Sequence, residues 1–139
     1  MKSAGDFGVQ IVLTADDKKF RTSWSRSTTP PSLQSANTVQ RGAPISAMII
    51  FHGCTPTRTG NCDATVAFAL VAPDGKITPA GDGPLWASPP LQGKLLLSNA
   101  SVTIGFDKTD LVGTYRIQAT ATDKVSGKKI QVSAPFSLL

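Results

Sequence analysis

The clearest pattern in the chain is a strict alternation of apolar and polar residues near its C-terminus. The alternation spans residues 113–123 and resumes after a turn at residues 123–127. Its apolar members are Tyr115, Ile117, Ala119, Ala121, Ile130, Val132 and Ala134. A period of two places one set of side chains on each face of an extended strand, so the pattern predicts a β-hairpin with one buried face.

Similar patterns predict further strands upstream of this hairpin. We expect them at residues 7–14, 44–52, 63–72, 94–98 and 100–106. Both faces of residues 44–52 are largely apolar, which is typical of a central strand. Residues 44–52 and 63–72 are expected to pair as an antiparallel hairpin.

One short helix is expected between Asp16 and Trp24. Thr14 and Asp17 have the spacing of a capping box, with Asp in place of the usual Glu or Gln. Phe20 and Trp24 are four residues apart, so one or two helical turns would place both rings on the same side. They either pack on the edge of the core or form an exposed aromatic platform for a ligand. The composition of residues 25–37 predicts a loop.

The least regular segment comprises residues 77–93, which contain four prolines and three glycines. Leu85 and Trp86 lie between these breakers. They either cover the core or form a binding surface, since tryptophan is enriched at the energetic anchors of interfaces. Loops of this length in a compact domain often carry function.

The composition agrees with an all-β protein. The chain has 139 residues, of which 12 are glycine and 10 are proline, and 40% are hydrophobic. This length is expected to form a single domain over residues 1–139 with a sizeable core. About seven or eight short strands separated by turn residues predict an antiparallel two-sheet β-sandwich.

The formal net charge of +5 does not indicate a dedicated site for nucleic acid. Lysine and arginine are scattered, and no run of five positive residues occurs. The lysines at 124, 128 and 129 flank a predicted turn, where solvated lysines are ordinary. We therefore expect no nucleic-acid partner.

Cys54 and Cys62 are the only cysteines in the chain. The residues between them are rich in turn formers, including Pro56 and Gly60, so the loop can bring the two thiols together. A disulfide closing such a loop would contribute roughly 2.5 kcal/mol by the chain-entropy model. Reduced thiols remain an alternative. A metal site using His52, Cys54, Cys62 and Asp63 is another, although seven intervening residues do not match the usual zinc spacing.

The cysteines indicate the cellular compartment of the protein better than its first residues do. No apolar stretch of about 18 residues is present, so no transmembrane segment is expected. The first residues lack the apolar run of a secretory signal. Either the protein is cytosolic or the signal has been removed. A disulfide favours the second case, which predicts a periplasmic or secreted protein.

A short motif before the penultimate strand resembles the tyrosine corner of immunoglobulin-like sandwiches. It comprises Asp110, Gly113 and Tyr115, with one residue more between Asp and Gly than in antibodies. Ile117 stands where antibodies have the second inter-sheet cysteine. The resemblance implies an immunoglobulin-like or macroglobulin-like domain in the broad sense, outside the antibody superfamily. It also implies a bond from the tyrosine hydroxyl to upstream backbone.

A second resemblance extends from Phe51 to Tyr115. It includes Phe51-His52-Gly53-Cys54, Gly60-Asn61-Cys62-Asp63, Ala72-Pro73-Asp74-Gly75-Lys76 and Pro84-Leu85-Trp86. These motifs are similar to small uncharacterised secreted or periplasmic proteins of Gram-negative bacteria. The resemblance implies location and fold and carries no activity.

These observations favour a binding role over catalysis. The chain has one histidine, and most of its acidic residues lie in predicted turns. We expect a non-catalytic binding or accessory module of the bacterial envelope, without cofactor or metal, that contacts a protein through its end loops or a sheet edge. One alternative is a small ligand or glycan bound at Trp24 or Trp86. Another is a protease inhibitor that presents Arg58 on the loop closed by Cys54 and Cys62.

Overall fold

The structure is a computed structural model that describes residues 1–26, 36–91 and 93–139. Within these residues there are nine β-strands and one α-helix. They are β1 (Lys2–Ala4), β2 (Phe7–Thr14), α1 (Asp17–Arg26), β3 (Thr38–Val39), β4 (Pro44–His52), β5 (Ala64–Val71), β6 (Ile77–Trp86), β7 (Leu96–Gly105), β8 (Gly113–Asp123) and β9 (Lys128–Leu138).

The strands form two sheets, with the orders β1-β2-β4-β7 and β3-β9-β8-β5-β6. Neighbouring strands run antiparallel, apart from the two-residue parallel contact between β3 and β9. The predicted all-β, two-sheet sandwich is confirmed. Seven strands have eight or more residues, and β1 and β3 are short additions to them.

The core lies between the two sheets, where the predicted alternation places it. In β8 the inward side chains are buried and their neighbours are exposed or half-buried. The largest core side chains that are shielded from solvent are Phe7, Leu13, Ile45, Ile49, Phe51, Leu85, Ile117, Phe136 and Leu138. Strand β4 is buried on both faces and lies between β2 and β7, so the predicted central strand is confirmed.

The predicted hairpin of residues 44–52 and 63–72 is wrong. These segments form β4 and β5, which belong to different sheets. Alternation reveals which face of a strand is buried, but two strands of opposite sheets show the same pattern when both face one core. The connection between β4 and β5 therefore crosses from one sheet to the other.

The irregular segment also differs from the prediction, since residues 77–86 form the edge strand β6. It pairs with β5 through two register shifts, next to Thr65 and Ala69. An edge strand tolerates Pro79 and Pro84 because its outer side needs no ladder hydrogen bonds. The two strands predicted at 94–98 and 100–106 form one strand, β7.

The predicted short helix is confirmed as α1, but its start differs in detail. Asp16 is the N-cap, because its Oδ1 accepts a hydrogen bond from the Lys19 backbone N–H at 3.0 Å. Arg21 fastens the helix to β7 by donating to the carbonyls of Ser98 and Asn99, at 3.0 and 3.2 Å. Helix α1 includes residues 25 and 26 of the predicted loop, and residues 27–35 of that loop lie outside the described residues.

The residues of the proposed tyrosine corner lie at one end of the sandwich. The Tyr115 hydroxyl donates to the Leu111 carbonyl at 2.7 Å, and its ring stacks on Phe136. Gly113 has a φ of 142°, a conformation that favours glycine. Asp110 shapes the preceding loop, because its carboxylate accepts from the Asp107 backbone N–H at 2.8 Å.

Burial raises the pKa of Tyr115, and the nearby carboxylates of Asp110 and Asp74 raise it further. The folded state therefore holds the phenolic proton more tightly than the unfolded state. Stability is unaffected below the ordinary tyrosine pKa of about 10 and falls as the pH rises above it.

We predict that Tyr115→Phe lowers the free energy of unfolding by about 1 kcal/mol at neutral pH. The variant should also lose the part of the fall in stability at alkaline pH that comes from ionisation of Tyr115. Because Tyr115 is the only tyrosine, the near-ultraviolet absorbance of tyrosinate reports its ionisation directly. Ionisation at the ordinary pKa in the folded protein would contradict the assignment.

Candidate functional site

The cysteines form a disulfide between the end of β4 and the start of β5. Their Cα atoms are 6.0 Å apart, and both side chains are buried. The predicted pairing is confirmed. Because β4 and β5 lie in different sheets, the bond closes the loop that joins the two sheets. Both sulfurs are used in the bond, so the reduced-thiol and thiolate-metal alternatives do not apply to this state.

The disulfide loop, residues 54–62, is a narrow finger with its own hydrogen bonds. Pro56 and Cys62 form a β-bridge, and the Thr57 N–H donates to the Asn61 carbonyl at 2.8 Å. The Gly60 N–H donates to the Thr57 carbonyl at 2.9 Å. These bonds place Arg58 in a tight turn at the exposed tip of the finger.

A buried carboxylate joins the disulfide loop to the β8–β9 turn. Asp123, at the end of β8, has an exposed fraction of 0%. Its Oδ2 accepts from the Thr55 backbone N–H at 3.0 Å and from the Ser126 hydroxyl at 2.9 Å. Its Oδ1 accepts from the Val125 N–H at 3.3 Å. One side chain therefore holds two connections that leave opposite sheets.

The connection between β6 and β7, residues 87–95, is bound to the other side of the loop. The Cys62 N–H donates to the Ser88 carbonyl at 2.9 Å. Trp86 packs against Phe51, with ring centroids 5.3 Å apart, and its Nε1 donates to the Pro89 carbonyl at 3.1 Å. The two segments that the sequence singled out as loops thus meet at the same end of the sandwich.

The β1–β2 turn completes this end, and its contact with the end of β4 requires glycine at position 53. A Cβ at Gly53 would lie 1.7 Å from the Asp6 carbonyl oxygen. A Cβ at Gly8 would lie 2.3 Å from Nε2 of His52, whose ring covers the Gly8 backbone. The absence of these side chains lets the turn and the end of β4 approach in direct contact.

The four connections surround an open cleft of about 690 Å³, which we call the disulfide-end cleft. Its apolar wall comprises Pro56, Pro90, Leu91 and Leu95. Its polar and charged lining includes Asp6, His52, Thr55, Lys94 and Lys128. This volume lies within the range of about 300–1,000 Å³ that is usual for ligand pockets.

The structure places the predicted binding residues in different parts of the molecule. Arg58 is exposed near the cleft, at the tip of the finger. Leu85 is 1% exposed and belongs to the core, which agrees with the alternative in which it covers the core. Trp86 is half-buried against the core and does not line the cleft. Trp24 is half-buried on α1, and it does not line the cleft either.

Sequence reasoning missed the charged residues of the cleft. His52 was considered only as a metal ligand, Lys128 was considered only as a solvated residue beside a predicted turn, and Asp6 and Lys94 were not singled out. A local signal exists, because these last three each follow a glycine that has a positive φ. Such glycines mark turns, and turns at one end of a sandwich place the following side chain near the rim.

Several solved structures share the fold at low sequence identity. A CARDB domain from Pyrococcus furiosus matches with a TM-score of 0.51 and 8% identity, over 96% of this chain and 90% of that chain. The alkylpurine DNA glycosylase AlkC of Pseudomonas fluorescens matches with a TM-score of 0.50 and 12% identity, over 96% and 30%. A family 123 glycoside hydrolase from Clostridium perfringens matches with a TM-score of 0.50 and 11% identity, over 95% and 27%.

These likenesses show an immunoglobulin-like sandwich and do not extend to activity. The chain spans less than a third of the two enzymes that it matches. No protein-family model and no curated protein matches the sequence. In the described part of the chain, no helix has the length and apolar character needed to cross a membrane.

We predict that Asp123→Asn lowers the free energy of unfolding by about 2 kcal/mol. The amide nitrogen would replace Oδ2, which accepts hydrogen bonds from Thr55 and Ser126. Urea unfolding measures the change. Asp82→Asn, at an exposed position of β6, is the matched control and should change stability by less than about 0.5 kcal/mol. Equal effects of the two substitutions would contradict the role of Asp123.

A pair of glycine substitutions tests the close contact beneath the cleft. Gly53 and Gly60 both have positive φ, at 77° and 89°, but only Gly53 faces a neighbouring atom. We predict that Gly60→Ala costs about 1–2 kcal/mol from backbone strain alone. Gly53→Ala should cost about 2 kcal/mol more because of its clash with Asp6. Thermal unfolding measures both, and equal losses would show that the contact is unimportant.

Proposed function

We propose that the protein is a non-catalytic binding or accessory module of an oxidising compartment, such as the periplasm or the cell exterior. In this proposal it contacts a partner protein through the disulfide end of the sandwich. The convergence of four connections around one cleft carries the proposal. Loops that a rigid sandwich brings together commonly form recognition surfaces.

The rigidity of this end supports a role in recognition. The disulfide and the hydrogen bonds of Asp123 hold the loops in one arrangement before any partner arrives. A surface ordered in advance loses less conformational entropy on binding than a flexible one. The finger and the β6–β7 connection are further joined through Cys62 and Ser88.

An exposed apolar side chain provides a contact point at the same end. Leu91 is 51% exposed, and it borders the cleft beside Pro90. An apolar contact that is surrounded by a polar rim is typical of protein interfaces. Another apolar residue of the cleft, Pro56, comes from the disulfide loop, so a partner would contact two connections at once.

The chemistry of the disulfide end supports a role without catalysis. Both thiols are oxidised, so neither is a nucleophile. The carboxylate of Asp123 accepts three hydrogen bonds from the protein itself. Its lone pairs are engaged in structure, which disfavours a role in proton transfer.

The disulfide supports an oxidising compartment, because such bonds persist outside the reducing cytosol. The two alternative functions receive less support. The Trp86 N–H is already bonded to Pro89, which removes a polar contact from a glycan platform. For the protease-inhibitor alternative, Arg58 would have to lie in an extended segment that pairs with a groove of the protease. Arg58 instead lies in a tight turn.

Site-specific photo-crosslinking in the source organism tests the proposal. A photoreactive phenylalanine derivative replaces Leu91 in one variant and Val112 in the other. The two positions are 51% and 56% exposed and lie at opposite ends of the sandwich. We expect a discrete cross-linked protein from position 91 and none from position 112. No product from position 91, or the same product from both, would refute binding at the disulfide end.

A further inference from the structure

The charges of the disulfide-end cleft define the chemistry of what it binds. We propose that the cleft receives an acidic, extended peptide segment that carries apolar side chains. This inference rests on the proposed function and names the partner's contact segment.

Strand alternation explains how Lys128 reaches the cleft. Lys128 shares the inward-facing register of Ile130 and Val132 in β9, but it lies beyond the last core residue of that strand. Its ammonium group extends across the end of the sandwich to the β1–β2 turn. A Cβ built at Gly5 would lie 2.4 Å from the Lys128 Nζ.

Lys94 approaches the same cleft from the other side, on the β6–β7 connection. Within residues 1–26, 36–91 and 93–139, neither Lys94 nor Lys128 forms an ion pair. The cleft thus presents two ammonium groups without acidic partners. Asp6 is the single carboxylate in its lining, so the local charge is positive.

Charged residues around the cleft add to its positive electrostatic potential. Arg58 at the tip of the finger and Lys124 in the β8–β9 turn are exposed at the same end. Asp63 is the exposed acid beside them, and its carbonyl accepts from the Lys124 backbone N–H. A concave surface lined by one sign of charge raises the local concentration of ligands of the opposite sign.

The remaining lining favours a peptide as the source of the negative charge. Pro56, Pro90, Leu91 and Leu95 suit the apolar side chains of such a segment. Gly93 has open space where a side chain would lie, which allows another main chain to approach closely at this wall. Among the described residues that line the cleft, the His52 imidazole is the only aromatic ring, so the tryptophan, tyrosine and phenylalanine platforms on which single-stranded nucleic acids often stack are missing from it.

Fluorescence anisotropy with a labelled short peptide of alternating glutamate and leucine tests the inference. We expect saturable binding that weakens as salt is added, because exposed ion pairs are screened. The double variant Lys94→Gln/Lys128→Gln should weaken binding by about tenfold. The same peptide with glutamine in place of glutamate should bind the wild type more weakly by a similar factor.

The matched control is Lys76→Gln/Lys129→Gln, which removes the same charge outside the cleft. Lys76 lies in the β5–β6 turn, and Lys129 lies on the outer face of β9. This variant should bind within about twofold of the wild type, because neither of the two lysines lines the cleft. Equal losses in the two double variants would overturn the inference by showing that only net charge matters.

Two further outcomes would also overturn it. Tighter binding of a single-stranded oligonucleotide than of the acidic peptide, lost in Lys94→Gln/Lys128→Gln, would assign the cleft to nucleic acid. Absence of peptide binding, together with a partner cross-linked from position 91, would refute the acidic segment and leave the proposed function intact. Unchanged melting temperatures of the lysine variants establish that they remain folded.

Discussion

The buried carboxylate of Asp123 is the constraint on which this end of the molecule depends. It ends β8 in one sheet and accepts the backbone N–H of Thr55, which follows β4 of the other sheet. A fully buried carboxylate is stabilised only where donors replace its lost water, and three donors do so here. The disulfide loop, the β8–β9 turn and the cleft between them all take their positions from this arrangement.

The connection from β4 to β5 links the two sheets of the sandwich to the candidate site. The Cys54–Cys62 bond closes the passage between the sheets, and the Cys62 N–H also holds the β6–β7 connection. Trp86 packs on Phe51, near the end of β4 and next to the start of this connection. The elements that unite the two sheets are therefore the same elements that surround the cleft.

Alternation along β8 and β9 sufficed to predict the buried face, and the turn-forming residues between Cys54 and Cys62 favoured their bond over the alternatives. Neither pattern contains information on which sheet a strand joins, so the separation of β4 from β5 was not predictable. Strand β6 was not predicted because its prolines indicate an irregular segment, although an edge strand tolerates them. The cleft was not predicted because Lys94 lies in a connection and Lys128 is the first residue of β9 after a turn, positions at which charge carries no periodic signal.

The prolines of β6 have a consequence for how copies of this protein meet. A sheet edge with free amide hydrogens invites a neighbour to add a strand, and repetition of that contact leads to fibrils. Pro79 and Pro84 lack those hydrogens, and the register shifts beside Thr65 and Ala69 distort the ladder behind them. This edge therefore offers a second copy of the protein fewer amide hydrogens for strand addition than an edge without prolines.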